Sequence, residues 1–360
     1  MSPTRRREDT AKRIVVTGAS GNVGTAVLRA LNEDPDVGTI VAIARRRPEW
    51  TVDKAEWVLA DVATDDLVPL LSGADAVIHL AWLLQPARTP LITWEANVIG
   101  SVRVFEATAA AGVPALVYAS SVGAYSPGPK DTMVDESWPT HGWPAASYTR
   151  EKAYLERVLD GFEAEHRDVR VVRMRPGFLF QREAASEQRR LFAGPLFPQR
   201  LVRPSLVPVV PDLPGLRMQV VHTDDVAQAY RRAALDGDAR GAYNLATEPV
   251  LDARTLAAVL NARVVRVPVW ALRAPLVAAW RLHLTPADPD LFDAVLRLPL
   301  MDSSRARDEL GWAPRHDAVT TVTELLEGMR DVAGLPTPPL EPTVPGGRAH
   351  ELGTGAGTEP

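Results

Sequence analysis

The chain has 360 residues, of which 46% are hydrophobic and 24% charged, and it carries a formal net charge of −5. That is the composition of a globular protein with a substantial core, and the slightly acidic balance offers no basic footprint for nucleic acid. There is no cysteine, which excludes disulfides, thiolate metal sites and cysteine nucleophiles.

Residues 1–12 form a basic arm with no apolar segment behind it, so no secretory signal is expected and the protein is expected in the cytoplasm. Short apolar runs follow at 13–17, 39–44, 56–59, 76–80, 115–119 and 169–174. Helical patterns separate them at 23–32, 67–71, 94–111 and 146–165. Continuously apolar strands divided by helices of that length predict βαβ units and a parallel sheet covered on both faces. This α/β domain is expected over 13–176. After Pro176 prolines and arginines crowd the chain, and 177–333 is expected to form mainly a smaller α/β lobe, with some segments returning to the first domain. Within it, 220–243 reads as strand, helix, strand, and the last helix is expected over 318–332. The apolar segment 267–284 is interrupted by Arg273 and Arg281 and is too charged to span a bilayer. A helix packed on the lobe and a helix lying at a membrane interface are its two readings. From Gly334 onward the apolar content is too low to pack, which predicts a disordered tail over 334–360.

Two stretches carry chemistry. The first is Thr17-Gly18-Ala19-Ser20-Gly21-Asn22-Val23-Gly24, at the turn between the first strand and the first helix. Glycine permits positive φ and removes a Cβ that would block a pyrophosphate, so backbone N–H groups and the helix N-terminus meet the phosphates directly. The second strand ends in Ala44-Arg45-Arg46-Arg47, where an NAD enzyme usually carries an acidic residue. Arg45, with Arg46 second, suits the 2′-phosphate of NADP, against a plain basic turn as the structural alternative. Asp61, with Val62 beside it, is placed to accept from the adenine amino group or to cap a turn.

The second stretch is Tyr148-Thr149-Arg150-Glu151-Lys152, which puts Tyr148 and Lys152 on one helix face. An ammonium one turn away, with a cationic nicotinamide ring, favours the phenolate and prepares Tyr148 for proton transfer. Upstream, Ala119-Ser120-Ser121 ends the fifth strand, where hydroxyls face the ligand crevice of such sheets. Asn97 lies mid-helix, where its amide is otherwise unfavourable, and is placed to hold a water or backbone group near the lysine. The seven histidines are scattered without partners at helical ligand spacing, so no metal site is expected.

The glycine loop, Asp75–Trp82 (DAVIHLAW), Asn97–Ser101 (NVIGS), Val117–Tyr125 (VYASSVGAY), Tyr148–Lys152 (YTREK) and Arg175–Phe180 (RPGFLF) occur in the order of one family. Together they resemble the extended short-chain dehydrogenase/reductase family of NAD-dependent epimerases and dehydratases. VVHTDDVAQAY, GAYNLA and DSSRARDELGWAPR continue the likeness, which covers roughly residues 12 to 330. It implies a Rossmann-type doubly wound parallel sheet with a smaller C-terminal α/β substrate lobe. It also implies NAD or NADP as cofactor, and a Ser–Tyr–Lys group at Ser121, Tyr148 and Lys152. Ser121 rather than Ser120 is chosen because the family serine stands four residues before the strand-exit tyrosine, here Tyr125. Leu80, Ala81 and Trp82 would line the middle of the cofactor. Ala119 and Ser120 would also adjoin it, and Pro176, Gly177 and Phe178 would meet its carboxamide end. A homodimer through 94–111 and 146–165 follows from the resemblance alone.

One departure matters. Members acting on nucleotide sugars often carry an arginine where this chain has Met218; Arg217 stands one position away, on the opposite strand face. The loop 83–93 offers only Gln85 and Arg88 as polar handles among apolar residues, and Trp138, Trp143, Phe178 and Phe180 are candidates for the crevice border. The expected function is therefore hydride transfer on a sugar nucleotide or other hydroxyl or carbonyl substrate. A reductase or dehydrogenase of a small hydrophobic ketone or alcohol, and a non-catalytic NADP sensor, are the alternatives.

Overall fold

The computed structural model describes residues 11–85, 88–199, 203 and 206–343. The basic arm up to residue 10 and the tail beyond residue 343 lie outside the described residues. Seven strands make the central sheet: β1 (Lys12–Thr17), β2 (Val37–Ala44), β3 (Ala55–Leu59), β4 (Ala76–His79), β5 (Ala115–Ala119), β6 (Arg170–Pro176) and β7 (Gly241–Leu245). Their spatial order is β7-β6-β5-β4-β1-β2-β3. Every neighbouring pair is parallel. This is the expected Rossmann-type sheet, with strand ends within two residues of those expected.

Alternate side chains of each strand feed opposite cores. Val16, Ile78 and Val117 meet α1 (Asn22–Glu33) through Val27, Leu28 and Leu31. Val15, Val77 and Leu116 meet the other face, covered by α2 and α3. Helix α2 is continuous from Pro90 to Ala110, with a widened turn over Trp94–Ile99, and α3 is Ser147–Glu165. Helix α4 (Thr223–Leu235) returns from the second lobe to pack Val226 and Tyr230 beside α1. Burying each large aliphatic side chain contributes about 1.5–3 kcal/mol. The chain winds outward from β1 to β3, then re-enters at β4 beside β1, so a crevice opens at the carboxyl ends of β1 and β4.

The second lobe is built on three short parallel pairs: Phe178–Phe180 with Val220–His222, Val209–Asp212 with Arg263–Arg266, and Met133–Val134 with Leu300–Met301. Helix α5 (Val269–Arg281) lies on its outside and has no fully buried residue. The tail expected to be disordered from Gly334 is packed over its described part. Leu340 is fully buried, and the Pro336 carbonyl accepts from the N–H groups of Glu49 and Trp50. Arg190 donates to the carbonyls of Pro339 and Glu341. One leucine and a few proline-directed carbonyls are enough to anchor ten residues that low mean hydropathy marked as unstructured.

Candidate active site

The glycine loop turns between β1 and α1 at the mouth of the crevice. Gly18 has φ +69°, and a Cβ on it would lie 2.6 Å from the Ala81 nitrogen; one on Gly24 would lie 2.3 Å from the Gly18 carbonyl oxygen. Those two glycines are required by the protein itself. Gly21 is different, since a Cβ there would meet only the Gly18 oxygen at 3.4 Å. It leaves bare backbone at the N-cap of α1, which has no side-chain cap. A bare, uncapped helix end facing a cleft fits an anionic pyrophosphate.

That cleft is lined by Gly18, Ser20, Gly21, Asn22, Val23 and Gly24, then by Arg45, Asp61, Val62, Leu80, Ala81, Trp82 and Asn97. All of these were expected from the sequence. Asn22 turns its side chain to Gln181 and Thr223, tying α1 to the second lobe. The Asp61 carboxylate accepts from the Ala63 N–H at 2.9 Å. Glu187 and Pro339 close the cleft from the second lobe and the C-terminal segment, and no sequence signal pointed to either. Burial pushes the Glu187 carboxyl up to about 7, with Arg190 opposing.

Tyr148 and Lys152 stand one turn apart at the start of α3, and Tyr148 lines a neighbouring space. The Tyr148 ring packs flat over Gly123, where any Cβ would fall 2.7 Å from the ring. The Ser121 hydroxyl accepts from the Gly123 N–H at 3.0 Å and lies close enough to the phenol to act on its pKa. Lys152 donates to the Ala119 carbonyl at 2.6 Å. Its ammonium also lies 3.3 Å from the centroid of the Trp82 ring, which meets Tyr148 edge-on at 5.8 Å. Ser121, Tyr148 and Lys152 therefore come together, with the Trp82 indole between them and the glycine-loop cleft. Trp82 and Leu83 are shared by that cleft and by a small cavity that Tyr148 lines with Leu84, Leu191, Phe192 and Pro286. The indole Nε1 is buried without a hydrogen-bond partner.

The electrostatics differ from the expectation. Burial raises the Tyr148 phenol above its ordinary value, with Ser121 pulling the other way, and Lys152 is not among the groups acting on it. Burial also lowers the Lys152 ammonium well below its ordinary value, opposed by Glu151 and Glu156. In the protein by itself, burial outweighs the pull of Ser121 on the phenol.

Other expected positions lie apart from the glycine-loop cleft. Ser120 donates to the Glu156 carboxylate at 2.5 Å and faces away from the cleft. Arg175 grips the same carboxylate through Nε and Nη2, each at 2.9 Å. Burial alone would raise Glu156, but Arg175 and Arg173 bring it down to about 2. Arg46 is exposed and does not border the cleft, and Pro176 is buried at the end of β6. Gly177 and Phe178 line a separate small cavity with Lys130, Arg217 and Met218, because the chain leaves β6 there to start the second lobe. Asn97 does hold backbone: its amide bonds the Leu83 N–H at 2.6 Å and carbonyl at 2.8 Å, and donates to buried Glu151 at 2.7 Å. Glu151, missed from the sequence although it stands inside the Tyr–Lys motif, also accepts from Thr93.

His222, His316 and Glu324 converge, contrary to the expectation that no histidine has such a partner. The partners lie about a hundred residues apart in sequence, beyond any local spacing rule. His222 Nδ1 accepts from the Asp224 N–H at 3.1 Å, so the Nε2 proton points at Glu324, 3.0 Å away. His222 thus serves as a donor, with no lone pair turned to a cation.

A family model for the NAD-dependent epimerase/dehydratase family matches residues 14–246. The chain belongs to that family of enzymes, whose cofactor is NAD(P). UDP-glucose 4-epimerase of Mycolicibacterium smegmatis is 27% identical over 331 residues, covering 89% of this chain and 99% of that protein. Among solved structures, UDP-glucose 4-epimerase of Thermus thermophilus in complex with NAD has TM-score 0.65 at 19% identity, over 88% of this chain and 99% of that one. The Thermotoga maritima UDP-glucose 4-epimerase with UDP-glucose gives TM-score 0.65 at 19% identity, over 89% and 99%. Membership in an enzyme family leaves the non-catalytic sensor reading without support. Among the described residues no helix is long and apolar enough to cross a membrane.

Proposed function

We propose that this enzyme transfers hydride at a carbinol or carbonyl carbon, with Tyr148 exchanging the proton of the substrate oxygen. The observation that carries the reading is the grouping of Ser121 beside Tyr148, with Tyr148 and Lys152 both against the Trp82 indole, which borders the bare glycine-loop cleft. Bound NAD(P) supplies the hydride donor or acceptor. Ser121 orients the substrate oxygen towards the phenol. Lys152, released from the Trp82 face, holds the nicotinamide ribose, and its charge together with the cofactor's cationic ring lowers the phenol. Asn97 fixes the Leu83 backbone that walls both spaces. A homodimer through α2 and α3, where Ile99 and Tyr154 are exposed, belongs to the same reading and is tested by sizing.

NADP is the preferred cofactor in this reading, because Arg45 borders the cleft at the end of β2 and residues 43–47 contain no acid. Arg45→Asp should weaken NADPH binding by about tenfold or more, the worth of one strong charge-assisted pair, and leave NADH binding unchanged. Fluorescence titration reads both, and equal losses for the two cofactors would remove the assignment.

The likeness to a nucleotide-sugar epimerase over nearly the whole chain supports a sugar-nucleotide substrate. The second reading, a small apolar ketone or alcohol, draws on the lining of the Tyr148 cavity by Leu83, Leu84, Leu191 and Phe192. It also draws on Met218, which packs against Val220 and Leu251, while Arg217 donates to the Lys130 carbonyl. Incubation with UDP-hexoses and with apolar ketones, with product analysis and reduced-cofactor absorbance, separates them. Epimer without net cofactor change supports the first reading, and net oxidation of NADPH by the ketone supports the second. Neither product from any substrate of either class would refute both.

A further inference from the structure

Helix α5 is apolar on its outer face as well as its inner one. Within it Trp270, Ala274, Pro275, Ala278 and Arg281 are exposed, and Leu282 follows at the C-cap, with Trp270 at 71% and Leu282 at 67% exposure. Leu284 extends this surface, and Val264 and Val265 lie exposed in the strand leading into the helix. The charge pattern is equally one-sided. Residues 253–287 contain Arg254, Arg263, Arg266, Arg273 and Arg281 and no aspartate, glutamate or lysine, in a chain of net charge −5. Arg273 is engaged inward by Asp293, whereas Arg263 and Arg281 are exposed and the Arg266 side chain is 89% exposed, with Asp212 no nearer than 3.7 Å.

The geometry points to this face as a docking surface for an anionic lipid membrane. A tryptophan and leucines would enter the headgroup boundary while flanking arginines meet lipid phosphates. Charge complementarity selects that occupant over a second copy, since an isologous contact would set the same arginines against one another. The surface is continuous with the reaction site. Arg88 lies 3.6 Å from the Trp280 ring and donates to the Trp280 and Thr285 carbonyls, and the chain after α5 supplies Pro286, Ala287 and Asp288 to the Tyr148 cavity. Docking thus brings the cavity wall to the lipid boundary, while the inference itself rests only on the face and its charges.

Co-sedimentation of the full chain with vesicles of phosphatidylcholine plus phosphatidylglycerol, and of phosphatidylcholine alone, tests it. Binding is expected to the mixed vesicles only and to fall as salt is raised. Trp270→Glu, and separately Arg263→Glu with Arg266→Glu, should each weaken it by about tenfold or more. Unchanged melting temperature and NADPH binding show that the variants are folded. Absence of binding to mixed vesicles, equal binding to neutral ones, or binding that both variants retain would overturn the proposal. So would a wild-type oligomer that Trp270→Glu dissociates without any vesicle binding, which would assign the face to a second copy.

Discussion

The two ends of the cleft are built on different plans. At the glycine loop, Gly18 and Gly24 are locked by contacts within the protein and Gly21 presents bare backbone, so the surface is preformed. At the reactive end, Trp82 lies across Lys152 and beside Tyr148, filling the approach to the group meant to do chemistry. The difference teaches that binding and reaction draw on separate parts of the structure. In the proposed reading the phosphates would meet a preformed cradle, whereas the reactive ring would have to displace an indole held by a cation and by packing.

Perturbing each end separately should sharpen that contrast. The largest effect is expected at the preformed end. At Gly21 an added Cβ meets only the Gly18 oxygen at 3.4 Å, so Gly21→Val should still fold, with its melting temperature lowered by no more than a few degrees for the poorer N-cap. Its dinucleotide Kd should rise roughly a hundredfold, about 3 kcal/mol. Gly24→Val, by contrast, would set carbon against the Gly18 oxygen and should fail in thermal unfolding first. A Gly21→Val protein that binds cofactor like the wild type would remove the ligand from this loop.

A smaller effect, in the opposite direction, is expected at the closed end. Trp82→Ala frees Lys152 from a cation–π contact worth about 1–2 kcal/mol, so cofactor affinity should rise by up to about tenfold. Weaker binding in the same titration would mean that the indole is a wall the ligand needs. The smallest effect concerns Glu187, whose carboxyl is neutral below about 7 and charged above it. Anionic cofactor should therefore bind a few-fold less tightly as pH rises through that value, and Glu187→Gln should flatten the step. The same shift makes the buried carboxyl destabilising as pH rises from its unfolded value towards 7, with the loss complete above it. An unaltered pH profile in the variant would assign the step elsewhere.

How far the sequence carried this picture follows the same division. The continuously apolar strands, the glycine turn and the four-residue spacing of Tyr148 and Lys152 are local patterns, and each was legible. Ser121 was preferred to Ser120 on resemblance alone, and the contact that sets Ser120 apart, its hydrogen bond to Glu156, needed coordinates. Glu187 and Pro339 reach the cleft from far along the chain, and Trp82 meets Tyr148 and Lys152 from a loop some seventy residues upstream. No periodicity encodes such meetings. The packed segment 334–343 escaped notice because its anchors are carbonyls and one leucine rather than an apolar run. Likewise the apolar stretch of α5 announced itself, but only the fold shows that its apolar face looks outward.

The account rests on one phenol, and Tyr148→Phe tests it most directly when turnover and cofactor binding are measured on the same preparation. Loss of the hydroxyl should lower kcat by about a thousandfold, within the range of general acid–base catalysis, with the NAD(P) Kd unchanged. Turnover within tenfold of the wild type, at equal cofactor occupancy, would contradict the assignment of Tyr148.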